Sequence, residues 1–235
     1  MSAANPAVPV NRLLAALPRP ERLRFLTDCE TVQLRFAEVL AEPGERIRHV
    51  YFPTESFISL LAPIANRSSL EVGLVGYEGM LGIPLVLGAD ISPFHAMVQG
   101  TGSALRMAAA PFERQLAQSP GLQKVLKRYI HAVIWQLAQT AACTHFHVVE
   151  ARLARWLLMT QDRARSDEFH ATHEFLAYML GVRRVGVTKA ATALQNKQLI
   201  SYSRGDVKIV NRSGLEAASC TCYEADNTTY ARAMA

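Results

Sequence analysis

The chain has 235 residues, half of them hydrophobic, which suffices for two small domains with buried cores and argues against wholesale disorder. No run approaches the roughly 20 apolar residues of a membrane span, and the opening MSAANPAVPVNRLL lacks a basic start and long apolar core. A cytoplasmic location without a membrane partner is therefore the expectation. The formal charge is +5, and residues 148–212 alone hold 11 Lys and Arg against 6 Asp and Glu, a localised excess expected of a phosphate-binding surface.

In chain order, residues 1–10 are rich in Ala and Pro and are expected to be loose. Leu13–Leu17 reads as a short helix ending at Pro18, and Pro20–Leu26 as another. Short apolar runs then recur at Val32–Phe36, Val50–Phe52, Phe57–Leu61, Leu70–Val75, Ala96–Val98 and Ala104–Met107. Pro43-Gly44, Pro53, Asn66, Gly76, Gly88 and Gly100 punctuate them. Short, regularly spaced strands with turn signals predict an antiparallel sandwich or jelly roll.

Pro111–Leu116 reads as a short helix closed at Ser119-Pro120-Gly121. Leu122–Thr144 follows, a long helix free of internal Pro and Gly. Leu126, Ile130, Val133, Leu137, Thr140 and Thr144 alternate in steps of four and three, a coiled-coil-like seam. Val125, Tyr129, Ile134 and Ala138 add apolar surface beside it. Such a helix fits either a subunit partner or a monomer core. Val148–Ala164 is a further helix with Leu153, Trp156, Leu157 and Thr160 on its core side and Arg152 and Arg155 off that stripe. Arg165–Glu168 reads as a turn.

The stretch Thr172–Val210 organises the rest. Thr172 caps a helix whose apolar face is Phe175, Leu176, Met179 and Leu180, and Gly181 ends it. A second helix follows at once, with Val187, Ala191 and Leu194 on one side and Arg184, Thr188 and Lys189 on the other. Two helices joined by a tight glycine turn read as helix-turn-helix. Leu199–Tyr202 and Val207–Val210 are strand-like and Ser203–Asp206 is the turn between them, making a small wing. Beyond Arg212, one short helix near Leu215–Ala218 precedes a tail expected to be poorly ordered.

The run FLAYMLGVRRVGVTKAATALQNKQLISYSRGDVKIVN resembles the winged helix-turn-helix of the Crp/Fnr family of bacterial transcription regulators, and a weaker likeness extends over nearly the whole chain. The resemblance implies an α+β fold. Its parts are an antiparallel β-roll of the cyclic-nucleotide-binding type with N-terminal helices (1–121), a dimerisation helix and hinge (122–147), a winged helix-turn-helix (148–212) and a C-terminal tail (213–235). It implies a homodimer joined through Leu126, Ile130, Val133, Leu137 and Thr140. Its partners would be double-stranded DNA, a second copy of the chain, RNA polymerase and a small-molecule effector of unknown identity.

Carried over residue by residue, Arg184 aligns with an arginine that reads guanine, and Lys189 with a second base-reading or phosphate position. Val185 stands where Glu often reads cytosine, so the usual half-site is not expected; an apolar Val could meet a thymine methyl instead. Arg183, Thr188, Arg204 and Lys208 are candidates for phosphate contacts. Glu78–Leu85 resembles the family's phosphate cassette. Gly79 and Gly82 are kept, but Ile83 replaces the Glu that takes a ribose hydroxyl, and Phe94-His95-Ala96 lacks the Arg-Ser that takes the cyclic phosphate. Neither Ile nor Phe can supply those contacts, so cyclic AMP is not expected to bind in the usual way. The alternatives are a constitutive DNA-binding protein and a sensor of a different small molecule such as a cyclic dinucleotide.

Four cysteines, Cys29, Cys143, Cys220 and Cys222, are too few for a disulfide scaffold. Cys143-Thr144-His145-Phe146-His147 has ligand-like spacing but no obvious fourth ligand, and Cys220 and Cys222 read as reduced surface thiols, so neither metal nor cofactor is expected. No nucleophile–base constellation or P-loop is present, and an enzyme is not expected.

Overall fold

Two short helices, α1 (Arg12–Ala15) and α2 (Arg19–Thr27), open the computed structural model, which describes residues 10–64 and 68–235. The expected looseness of the N-terminus and the Asn66 turn lie outside the described residues. Asn11 caps α1 with its side-chain oxygen, and its amide nitrogen donates to Pro53 O and Gly79 O, tying the helix to the sheet behind it.

Among the described residues, seven strands follow: β1 (Glu30–Leu34), β2 (Val39–Ala41), β3 (His49–Pro53), β4 (Phe57–Ile64), β5 (Ser68–Val75), β6 (His95–Gly100) and β7 (Gly102–Ala108). They form two antiparallel sheets, β1-β7-β3 and β2-β6-β4-β5, as the recurrent short apolar runs require. Ile58, Val75, Ala96 and Val98 fill the space between them. The first run is displaced: the strand ends at Leu34, and Phe36 is exposed because Ala37 turns the chain at φ +64°. Phe25 of α2 meets Phe52 of β3 edge-on at 5.3 Å, closing a second core under α4 (Ala109–Gln118). A one-turn helix, α3 (Ile83–Val86), sits between β5 and β6.

Ser119 caps α5 (Pro120–Phe146), the long helix. After a break at His147 and Val148 comes α6 (Val149–Ala164), then β8 (Glu168–His170), α7 (His173–Leu180), α8 (Arg184–Asn196), β9 (Ile200–Ser203) and β10 (Asp206–Ile209). The wing is thus three-stranded, in the order β8-β10-β9; the residues read as a turn up to Glu168 lead into its third strand. Three residues of β8 are too few to show alternation in sequence. Leu153, Leu157, Leu176, Val187, Leu194 and Val207 share one core, which fixes α8 against α6 and the wing. Leu194 is fully buried there, and Leu194→Ala should destabilise the chain by about 2–5 kcal/mol, read by thermal unfolding.

The C-terminus differs from expectation. After α9 (Arg212–Ala218), residues Cys222–Met234 form a three-turn helix, α10, which packs back on α5. Cys222 and Tyr223 are buried, Tyr230 and Met234 pack against the core beneath α4, and the Tyr230 hydroxyl donates to Glu78 O at 2.6 Å. So sparse an apolar pattern reads as tail until a docking surface is known. Arg152 and Arg155 are also buried, contrary to their place off the stripe. Arg152 donates to Leu180 O, and Arg155 pairs with Asp226 of α10 at 2.6 Å. No helix among the described residues is long and apolar enough to cross a membrane.

Candidate functional site

The helix-turn-helix is built from local signals. Thr172 Oγ1 accepts from Phe175 N at 3.2 Å, and Gly181 ends α7 at φ +62°. Arg183 is the N-cap of α8. Val187, Ala190, Ala191 and Leu194 are buried on one side, leaving Arg183, Arg184, Val185, Thr188 and Lys189 exposed on the other. Among the described residues, Arg183, Arg184, Lys189 and Arg204 make no ion pair. Free cations at the N-terminal end of an exposed helix form a surface for phosphates and base edges.

Thr188 is less free. Its hydroxyl donates to Arg184 O at 3.1 Å and lies 3.0 Å from His173 Nδ1. The His173 ring stacks on Tyr202 of β9 at 4.4 Å, and the Tyr202 hydroxyl donates to Ala171 O. Desolvation, and then the charge of Arg184, hold the His173 imidazole below its usual value. This link from wing to recognition helix was not legible in the sequence, because stacking partners 29 positions apart carry no spacing signal.

The wing turn is Arg204-Gly205, both at positive φ, between the paired residues Ser203 and Asp206. A Cβ on Gly205 would sit 2.6 Å from His170 Cε1. Arg204 is exposed at the tip. Lys208 does not stand free: it pairs with Glu168 across β10 and β8 at 2.5 Å. Both partners are exposed, so the pair is weak and salt-screened.

Within the roll, a cavity of about 370 Å³ opens between α3, the strands and α5. Gly82 (φ +109°), Ile83 and Phe94 line it. Gly79 and His95 do not. Gly79 lies against the Tyr129 ring, and His95 Nδ1 is 2.8 Å from Glu42. The cations at this cavity are Arg46, which pairs with Asp90 at 3.0 Å, and Arg48.

Along the long helix the seam residues divide between core and cavity. Leu126 is completely buried in its own chain's core, while Ile130, Val133 and Leu137 line the cavity. Thr140 Oγ1 accepts from Arg155 at 3.2 Å. Within the single chain, Leu126 thus packs on the roll, while Val133, Leu137 and Thr140 stay partly exposed. Ile134, 62% exposed, stands at the rim of the same cavity and reaches the open side of α5 beside Trp135, 42% exposed. A helix apolar on both sides gives no sequence signal for which side stays uncovered.

Glu71 of β5 is buried where the roll meets α6. It accepts from Trp156 Nε1 at 2.8 Å and lies 2.7 Å from Ser59 Oγ. Burial raises its carboxyl to about 7, against the lowering effects of Ser59, Trp156 and two arginines, Arg163 and Arg155.

The cysteines also differ from expectation. Cys220 and Cys222 are buried, and α10 brings them to Cys143 and His147 at the end of α5. The four ligand-type atoms lie within 4.8 Å of one another.

Against known proteins, residues 151–218 match the Crp-like helix-turn-helix domain. FixK2 from Bradyrhizobium japonicum has a similar fold at a TM-score of 0.69 and 12% identity, over 82% of this chain and 98% of that one. The c-di-GMP-responsive global regulator CLP of Xanthomonas campestris aligns at 0.67 and 16% identity, over 82% and 99%. A transcriptional regulator of the Crp/Fnr family from Eubacterium rectale aligns at 0.68 and 13%, over 88% and 96%. No match is found among curated protein sequences.

Proposed function

We propose that this chain, a Crp/Fnr-type DNA-binding transcription regulator by its Crp-like helix-turn-helix domain and its fold, binds a two-fold operator as a homodimer. The observation that carries this reading is the exposed row Arg183, Arg184, Val185, Thr188 and Lys189 on a helix whose other side is locked in a core. Arg184 reads guanine bidentately, Lys189 contacts a base or phosphate, and Val185 meets a thymine methyl. Arg183, Arg204 and Thr188 hold phosphates, with Lys208 joining them once it exchanges Glu168 for the DNA backbone. Two copies joined along α5 at Ile134 and Trp135 present two α8 helices to a two-fold site. RNA polymerase is the further partner of such a regulator.

The functional division is the roll (1–121), the linking helix (122–147), the DNA-binding unit (148–212) and a closing segment (213–235). The cavity takes an effector other than cyclic AMP. Ile83 offers no ribose acceptor, and the cations enter from Arg46 and Arg48 rather than from positions 94–96. A cyclic dinucleotide is the second reading, favoured by those two arginines and by the c-di-GMP response of CLP. An effector touching Ile130, Val133 and Leu137 would act directly on α5 and so on the placement of the paired recognition helices.

The test is selection from random duplex DNA at fixed salt, with and without a panel of cyclic mono- and dinucleotides. Enrichment of a two-fold site is expected. Arg184→Ala should weaken binding to it about 10- to 100-fold, the worth of one bidentate base contact, with less effect on non-specific DNA. A flat selection, or equal loss on all sequences, would reject the assignment.

A further inference from the structure

Cys143 and His147 lie one turn apart at the end of α5, where His147 N donates to Cys143 O at 3.1 Å. Cys220 lies in the connector after α9, and Cys222 opens α10. Both segments are remote in sequence from α5, yet Cys143 Sγ is 3.5 Å from Cys220 Sγ, and Cys222 Sγ is 3.6 Å from His147 Nδ1. Zinc–sulfur bonds of about 2.3 Å and zinc–nitrogen bonds of about 2.0 Å at tetrahedral angles place neighbouring ligand atoms roughly 3.5–3.8 Å apart. The observed pairs have that spacing. The three cysteines are buried and the imidazole is half-buried, so the group is closed to solvent on most sides.

We propose that Cys143, His147, Cys220 and Cys222 form a closed Cys3His site for a single zinc ion, which clasps α10 onto the junction of α5 and α6.

Three features support this beyond distance. The donor set is complete: three sulfurs and one imidazole fill a tetrahedron with no open position, the pattern of a structural rather than a catalytic ion. The charge is met: three thiolates and a divalent ion leave a net −1, and Arg155 and Arg152 act on these sulfurs electrostatically from α6. A disulfide would use two sulfurs and leave the third sulfur and the imidazole buried without purpose. The 4.8 Å span has room for one ion and not for a two-iron cluster with bridging sulfides. The clasp also fixes the start of α10, whose apolar anchors Tyr230 and Met234 lie toward its far end, since metal binding free energy becomes folding free energy.

The test uses the full-length reduced protein. As purified, it should carry one equivalent of zinc. After chelation, Co2+ alone should give the intense visible bands of a tetrahedral, thiolate-rich site, saturating at one equivalent and displaced by Zn2+. Cys143→Ser and Cys222→Ser should lose those bands, and Cys29→Ser, remote from the site, should keep them. The wild-type cobalt titration carries the test even if a variant misfolds. Absence of tetrahedral bands in the reduced wild type would overturn the proposal. So would their survival in both variants, iron with sulfide in place of zinc, or a Cys143–Cys220 disulfide in anaerobically alkylated protein.

Discussion

An Ile134→Glu chain is expected to sediment as a monomer and to lose at least a hundredfold in affinity for a two-fold operator. Ile134 is 62% exposed beside Trp135 at the rim of the roll's cavity, so the change leaves the buried core of the isolated fold intact. In a symmetric interface the same carboxylate is buried twice. At an unpaired polar burial of at least ~2 kcal/mol per copy, the dimer weakens by ~4 kcal/mol, about a thousandfold in its dissociation constant. A far-ultraviolet spectrum and melting temperature like the parent's would show that folding is intact. Unchanged sedimentation would reject a dimer formed through this side of α5. Leu126→Glu is not equivalent, because Leu126 lies in the roll's own core and the variant should fail to fold.

Glu71→Gln should stabilise the protein at pH 8 and leave it nearly unchanged at pH 5. The Glu71 carboxyl is raised from about 4.5 to about 7 by burial at the contact between roll and α6. An acid with a raised folded value binds its proton more tightly in the folded chain. Its contribution is present in full below about pH 4.5 and is lost as pH rises through about 7. That loss is on the order of 3 kcal/mol, or about 6–12 °C in melting temperature for a chain of this size. Gln keeps the acceptor for Trp156 Nε1 and supplies an N–H toward Ser59 Oγ in place of the carboxyl proton. Ser59 has one proton and two neighbouring acceptors, Glu71 and Gln99, so a donor at position 71 completes the chain. Melting curves from pH 5 to 8 should diverge between wild type and Glu71→Gln. Parallel curves would mean that Glu71 is ionised throughout.

The contrast between these two residues shows where sequence reading stops. Glu71 sits in an apolar run, and nothing near it in the chain announces Trp156, 85 positions away. Ile134 was visible as apolar surface, but both sides of α5 are apolar, and regular spacing alone does not say which of them a partner would cover. Val187, Ala191 and Leu194, by contrast, fell where the period placed them, because an isolated helix with one polar side leaves its burial unambiguous.

What the sequence determined by itself was whatever rests on neighbours in the chain. The Thr172 cap, the Gly181 stop, the two-sided recognition helix, the wing turn at Arg204-Gly205 and the strand rhythm of the roll are all set by local backbone preference and short-period patterning. What only the tertiary structure decided depends on distant segments meeting. That includes the third wing strand, the docking of α10, the arginines buried on α6, the open side of α5, the cations at the cavity and the joining of Cys143 and His147 to Cys220 and Cys222. Each of these holds because a surface formed by one part of the chain satisfies charge, hydrogen-bonding or apolar groups on another, and such complementarity has no fixed spacing to be read in advance.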